Sequence, residues 1–269
     1  MSKLTASLRS MNRFDDLALM NSPIHRLHPV AKLVTTLVFL IVTTSFDRYA
    51  LTSLLPLFLY PVLIIIVADL PAGLLLKRLL LLEPLILGIG LLNPLFDRVP
   101  VQVGTIYLTG GWVTFLNLTL KGSLAALAAL LLLATTGLDR LAAALRSLGV
   151  PRIMVTQIYL TWRYLTVLGQ EVARTQRAYT LRAPNQRGIH IRAWGSLLGQ
   201  LLLRTFDRAE RIYQAMALRG FSGEYPTGSA KAWAAADTGF ILFCLLYLIV
   251  VRLIDPAQLL GAWLAGGIS

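Results

Sequence analysis

Cysteine, histidine and charged residues are scarce in this sequence, and each scarcity argues against a class of protein. The single cysteine, Cys244, allows no intrachain disulfide and argues against a thiolate metal site. Three histidines are too few for the clustered set that a metal-dependent membrane enzyme would need. Charged residues make up 14% of the chain, whereas a soluble domain has about 25%. The composition is therefore not that of an ordinary soluble globular protein.

Glycine-rich phosphate loops are also absent. Neither G-x-x-x-x-G-K-[ST] nor G-x-G-x-x-G occurs anywhere in the chain, so nucleotide binding through such a loop is not expected. We expect no cofactor and no catalytic centre, and any energy from ATP would have to come from another protein.

Long apolar runs dominate what remains. Hydrophobic residues account for 56% of the chain and the mean hydropathy is +0.68, which is typical of helices solvated by lipid. The predicted fold class is all-α, a polytopic membrane helical bundle. Five spans are predicted, at residues 32–46, 50–68, 79–96, 112–136 and 236–251, with an extended loop or small hairpin at 97–111.

Positive charge is concentrated between the fourth and fifth predicted spans. The net charge is +12, and residues 137–231 contain 14 basic and five acidic residues. Leucines recur there at helical spacing, as in the apolar face of Leu197, Leu198, Leu201 and Leu202, which predicts long amphipathic helices. Leu148-Gly149-Val150-Pro151 predicts that one helix stops and the next starts there. The predicted organisation is a membrane portion at 1–136, a cytoplasmic helical portion at 137–231, and a last span with a tail at 232–269.

The distribution of lysine and arginine also predicts an orientation. Basic residues precede the first span, separate the second from the third, and fill the 137–231 block, whereas the opposite loops carry only Arg48 and Arg98. By the positive-inside rule, the N-terminus is cytoplasmic and the chain crosses the membrane several times. Nucleic-acid binding, the other common reason for a basic chain, is not expected because of the bilayer-length apolar runs.

Three residues in or near the predicted spans are candidates for chemistry. His25 and His28 are spaced to share a metal ion, but no cysteine or carboxylate is spaced to complete a site, which favours an interfacial pair without metal. Glu83 is the one acid clearly inside a predicted span, and a membrane carboxylate suggests function. Its position five residues after Arg78 favours instead a hydrated or paired group near the cytoplasmic end.

A short pattern recurs where two amphipathic helices are predicted to end. Leu181, Arg182 and Ala183 close the first helix, and Leu218, Arg219 and Gly220 close the second. A terminal arginine complements the helix dipole and glycine caps, so a purely structural role is one explanation. The other is that both guanidinium groups bind acidic groups of a two-lobed partner.

These features make the chain resemble the transmembrane T component of energy-coupling-factor transporters, of the cobalt type called CbiQ. Residues 22–33 (SPIHRLHPVAKL) match the family pattern before the first span. Residues 133–163 match it through Thr-Thr, Leu-Gly-Val-Pro and Trp-Arg, and the two arginine-containing helix ends form the third match. Neither end is a strict Ala-Arg-Gly, so Arg182 and Arg219 are the residues that carry over.

The resemblance implies a non-enzymatic scaffold. It would pass ATP-driven motion from two cytoplasmic ATPase subunits to a membrane S component that binds the substrate, in some systems with a small accessory membrane subunit. Residues 137–231 would form the coupling helices, whose arginine ends would dock in the ATPase subunits. The implied substrate is cobalt or nickel, which connects the protein with cobalamin biosynthesis.

Three other functions share part of this description. A T component of a vitamin importer has the same architecture. A permease with its own substrate pathway would need more polar groups at mid-span, or repeat symmetry in the case of a secondary carrier. A membrane enzyme would need a cluster of histidines and carboxylates that the sequence does not show.

Overall fold

The computed structural model describes residues 17–96, 100–103, 106–183, 189–223 and 232–254, which fall into two compact units. The bundle unit holds the described residues up to 137 and after 231, and the hairpin unit holds those from 138 to 223. The predicted all-α class is confirmed, with one β-hairpin as the predicted exception. The helices are α1 (Pro29–Ser45), α2 (Leu59–Val67), α3 (Ala72–Gly90), α4 (Asn93–Phe96), α5 (Gly110–Thr136), α6 (Leu138–Ser147), α7 (Arg152–Arg182), α8 (Ile191–Leu218) and α9 (Ala235–Ile254).

Helix α5 is the centre of the bundle unit. It packs against α1, α2, α3 and α4, and α1 packs in turn against α9. The fully buried side chains include Phe39 on α1, Leu124 and Leu131 on α5, and Leu248 on α9. Burial of such side chains is the main contribution to packing among these helices.

Hydrogen bonds between helix ends give the helix directions. The Lys32 ammonium, in the first turn of α1, donates to the carbonyl of Thr135 at the end of α5. The Asn117 amide, early in α5, donates to the carbonyl of Asp47 just after α1. Arg252 at the end of α9 donates to Ser45 at the end of α1. Helices α1 and α9 therefore run in one direction and α5 in the other.

Two described helices are long and apolar enough to cross a bilayer, namely α5 and residues 235–253 of α9. At about 1.5 Å per residue they are roughly 40 and 30 Å long. Helix α1 and the segment Thr52–Val67 are shorter apolar helices. The chain is thus a helical membrane protein, with α5 and α9 as its strongest spans.

The second predicted span, 50–68, is not one continuous helix. Two 3-10 turns, Thr52–Leu54 and Pro56–Phe58, precede α2. The second turn begins at Pro56, which has no backbone donor. The Tyr247 hydroxyl of α9 donates to the carbonyl of Pro56 at 2.5 Å, so a neighbouring helix satisfies a backbone group in this segment, as expected from the sequence.

The third predicted span, 79–96, was placed wrongly at both ends. The predicted loop at 69–78 is mostly the start of α3, because Asp69 (φ 53°) ends the preceding helix and Pro71 directly precedes the first turn of the next. The helix stops at Gly90, whose Cα lies against the ring of Phe115: a Cβ there would be 2.9 Å from Phe115 Cδ2. A short helix, α4, follows, and strands Pro100–Val103 and Ile106–Thr109 pair antiparallel.

The hairpin unit contains α6, α7 and α8. Between α6 and α7 the chain turns at Gly149 (φ 93°), and the Val150 amide donates to the carbonyl of Leu145. Together with Pro151 ahead of α7, this confirms the predicted helix stop and restart at residues 148–151.

Candidate coupling site

Arg182 is the last residue of α7, and Leu181 and Arg182 are both exposed. The chain leaves the helix at Ala183 in an extended conformation, φ −129° and ψ 67°, with its amide bonded to the carbonyl of Tyr179. Because φ is negative there, this end does not require glycine. That explains how alanine fits where the family pattern has glycine.

Arg219 follows the last residue of α8, and its helix end has a different geometry. Gly220 has φ 78°, its amide donates to Ala217, and the Phe221 amide donates to Met216. This pair of bonds is a Schellman cap, which requires a left-handed residue at the glycine position. Leu218 beside it is 89% exposed.

Neither guanidinium group has a hydrogen-bond or ion-pair partner among the residues that the structure describes. Two exposed cations at helix ends, each next to an exposed leucine, are not needed to hold the hairpin unit together. They present five N–H donors each, in the fork geometry that binds carboxylates.

Helices α7 and α8 form an antiparallel pair. Tyr179 near the end of α7 accepts from the His190 amide just before α8, and Glu171 accepts from Arg204 at 3.1 Å halfway along. After α8 the chain returns to the start of α7, where the Thr156 hydroxyl donates to the carbonyl of Gly223. The helix from 156 to 182 is about 39 Å long at about 1.5 Å per residue, so the two arginine ends lie roughly 35 Å apart.

Helix α8 presents an uncovered apolar face. None of its residues is buried, and Leu197 and Leu201 line a cavity of about 300 Å³ against α7. Leu198 also lines this cavity, yet Leu198 and Leu202 are both more than half exposed. Both belong to an exposed apolar stripe on α8 whose members are four or seven residues apart. The stripe consists of Ile191, Leu198, Leu202, Phe206 and Tyr213.

The two histidines near α1 make local contacts. His25 Nδ1 lies 2.7 Å from the Ser22 hydroxyl oxygen, and His28 Nδ1 accepts from the Val30 amide as the N-cap of α1. Among the described residues, no group of three or more His, Cys, Asp or Glu side chains could hold a metal ion. Helix capping is therefore the observed role of His28.

Glu83 lies in the contact between α3 and α5. Its carboxylate accepts a hydrogen bond of 2.6 Å from the Ser123 hydroxyl, and Ser123 is halfway along α5. The carboxylate is thus paired, one of the two outcomes weighed from the sequence, but it is level with the middle of the longest span and not near its end. Such pairs hold membrane helices together.

We predict that Ser123→Ala lowers the free energy of unfolding of the purified protein by about 1 kcal/mol, and its thermal midpoint with it. The reason is that the Glu83 carboxylate loses the Ser123 hydroxyl that donates to it. Adding Glu83→Leu to that variant should restore most of the loss, since both polar groups are then gone. Thermal unfolding in one detergent measures both. An unchanged midpoint for Ser123→Ala would show that Glu83 is solvated.

The glycine cap of α8 gives a second prediction. Gly220→Ala should destabilise the protein by about 1 kcal/mol, because φ 78° is strained for a residue with a Cβ. Gly199→Ala is the matched control: Gly199 lies inside α8 with nothing within 4 Å of an added Cβ, so helix propensity should raise stability by up to about 1 kcal/mol. Equal shifts of the thermal midpoint would contradict the cap.

Sequence reasoning did not identify Lys32 and Asp237 as important contacts. The sequence predicts only that Lys32 begins the first span and that Asp237 lies at the edge of the fifth. In the structure their side chains are buried, at 3% and 1% exposed. The available signal was a charged residue at the boundary of an apolar run, where a buried charge needs a partner.

The fold and site define a helical membrane protein with a cationic antiparallel helix pair. The sequence profile of the CbiQ family, described as cobalt transport protein, matches residues 20–229. That match covers well over half of the chain, and the protein belongs to the CbiQ family of cobalt transport proteins.

Individual relatives agree with this family. The chain is 33% identical to the nickel permease LarQ of Lactiplantibacillus plantarum over 129 residues, 47% of each chain. It is 31% identical to the cobalt transport protein CbiQ of Salmonella typhimurium over 133 residues, 46% of this chain and 57% of that one. An uncharacterized protein of Methanocaldococcus jannaschii is 27% identical over 148 residues, 54% and 50% of the two chains. The chain spans about half the length of these relatives.

Proposed function

We propose that this protein is the T component of an energy-coupling-factor importer, a scaffold that carries motion from two cytoplasmic ATPase subunits to a membrane subunit that binds substrate. The observation that carries the proposal is a pair of exposed arginines, Arg182 and Arg219, at opposite ends of α7 and α8, for which the described part of the chain offers no partner. Membership of the CbiQ family of cobalt transport proteins supports this proposal.

The separation of the two ends decides how they would be used. A groove on one small domain cannot receive two helix ends roughly 35 Å apart, whereas a pair of ATPase subunits can receive one end each. Residues 181–183 would bind in a groove of one ATPase subunit and residues 218–220 in a groove of the other. In each groove the arginine would form a bidentate pair with a carboxylate, and the neighbouring leucine would contact apolar side chains. Closure of the ATPase pair would then change the angle between α7 and α8.

The helix pair is suited to such a movement. Helices α7 and α8 make few polar contacts along their length, with the Glu171–Arg204 pair near the middle and side-chain hydrogen bonds at the two ends. Small sliding of packed helices is a common way to transmit motion. The uncovered apolar stripe on α8 would contact membrane-embedded helices of the substrate-binding subunit.

The orientation follows from the helix directions and the charge. Helices α1 and α9 run opposite to α5, which fits five crossings with the hairpin unit between α5 and α9. The basic hairpin unit would be cytoplasmic, as would the N-terminus, in the bacterial inner membrane. The substrate would be a divalent ion, cobalt or nickel, since relatives carry those names.

The docking role is tested by charge reversal. In the double variant Arg182→Glu, Arg219→Glu, the ATPase subunits should no longer co-purify with this chain, and cobalt uptake into cells should fall to background, because each glutamate would face a carboxylate. The measurement is affinity purification of the tagged chain with its ATPase subunits, together with uptake of labelled Co²⁺.

The matched control is Arg174→Glu, Arg211→Glu. Each residue lies eight positions before one of the two arginine ends, on the same helices and exposed, so net charge changes equally. This control variant should retain most of the binding to the ATPase subunits and most of the Co²⁺ uptake. If both doubles behave alike, bulk charge and not the helix ends attracts the ATPase subunits, and the docking role is wrong.

The orientation is tested by cysteine labelling in a chain with Cys244→Ala. A membrane-impermeant maleimide should label Arg48→Cys in intact cells, because Arg48 is exposed in the loop after α1. It should label Leu181→Cys only after permeabilisation, since Leu181 would be cytoplasmic. The reverse pattern would invert the proposed topology.

A further inference from the structure

The chain passes between its two units twice, and near each passage a described residue of the bundle unit binds the start of α1. It leaves the bundle unit after Gly137 and returns to it after residue 230. Two residues before the first passage, the Thr135 carbonyl accepts a hydrogen bond of 2.8 Å from the Lys32 ammonium. Soon after the second, the Asp237 carboxylate accepts one of 2.6 Å from the His28 amide. Residues 28–32, about one helical turn, thus bind both Thr135 and Asp237. We call these two residues the attachment points.

Both contacts use buried charges at helix ends. Lys32 binds the last turn of α5, where backbone carbonyls have no helical partner, and a cation there complements the helix dipole. Asp237 lies in the first turn of α9, where it also accepts from the Ala234 amide at 2.8 Å, and an anion there does the same for unpaired amides. The two groups are 3% and 1% exposed, so neither can exchange its partners for water.

The backbone at the first passage is also restricted. Gly137 has φ 72° and ψ 156°, a conformation that is essentially limited to glycine. A Cβ at this position would lie 3.1 Å from the Ala18 Cβ. The backbone of the bundle unit is therefore restricted at its last residue before the first passage.

We propose that residues 28–32, with Thr135 and Asp237, form a fixed mount for the hairpin unit, and that Lys32 and Asp237 are positioning residues for energy coupling. This rests on the proposed T-component function. When the ATPase subunits move α7 and α8, the mount keeps both attachment points at constant positions in the bundle. Without it, part of the imposed movement would be taken up by local rearrangement of the ends of α5 and α9.

A merely structural role makes a different prediction. Loss of stability would reduce the amount of assembled complex, but each assembled complex would still transport a normal number of ions per ATP. Loss of the mount would leave ATP hydrolysis in the assembled complex intact and lower transport per ATP. The ratio of the two rates therefore separates the explanations.

The test uses Lys32→Met in the complex with its ATPase and substrate-binding subunits, reconstituted in liposomes. We expect ATPase subunits to co-purify at the wild-type ratio and ATP hydrolysis to continue, while Co²⁺ taken up per ATP falls about tenfold, the factor expected for losing a hydrogen bond to a charged group. Asp237→Asn is the second variant, in case the first does not assemble.

The control is Lys121→Met. The Lys121 ammonium donates to the Phe46 carbonyl at 2.6 Å, an equivalent cap at the opposite end of α1, away from both passages. It should alter thermal stability but not the ions carried per ATP. Equal ratios for Lys32→Met and Lys121→Met would overturn the mount, as would failure of both Lys32→Met and Asp237→Asn to assemble.

Failure of the proposed function is distinguishable from failure of the mount. If the wild-type chain captures no ATPase subunits, the T-component function fails, whatever the variants do. If the wild-type complex couples hydrolysis to Co²⁺ uptake and Lys32→Met couples equally well, only the mount is wrong.

Discussion

Inside lipid no water is present to bind the backbone groups at a helix end, so side chains or other backbone groups must bind them. The bundle unit meets this constraint with reciprocal lysine caps on antiparallel helices. Lys32 of α1 caps the end of α5, and Lys121 of α5 caps the end of α1. Asp237 does the same for the start of α9, and Tyr247 binds a carbonyl in the proline-interrupted segment before α2. These bonds satisfy the polar groups at helix ends that the packing around α5 brings together.

The hairpin unit differs from the bundle unit in how its helix ends are capped and in how little of it is buried. Its helices carry many arginines, its caps at Gly149 and Gly220 are made by the backbone alone, and no residue of α8 is buried. Within the described residues, the apolar stripe on α8 and the two arginine ends are uncovered, and a surface of this kind is typical of interaction sites. Rigidity within each helix and few contacts between them are what a transmitting element requires.

These two conditions meet where the chain passes from one unit to the other. A moving element is useful only if it is attached to something that does not move with it. Lys32 and Asp237 bind near this place, and in the proposed T component their contacts would have a mechanical role in addition to helix capping.

The sequence by itself determined the helical membrane class, an extended loop or hairpin before α5, the helix break at residues 148–151 and the arginines at two helix ends, because hydropathy, turn residues and helix periodicity are local properties. It misplaced α3, since the Asp69–Pro71 turn and the approach of Gly90 to Phe115 depend on backbone geometry and on a neighbouring helix. The opposite placement of Arg182 and Arg219, the pairing of Glu83 with Ser123 and the attachment of Thr135 and Asp237 to α1 were decided only by tertiary structure. Each joins residues far apart in the chain, and the partner of a buried polar group is set by which helices pack together.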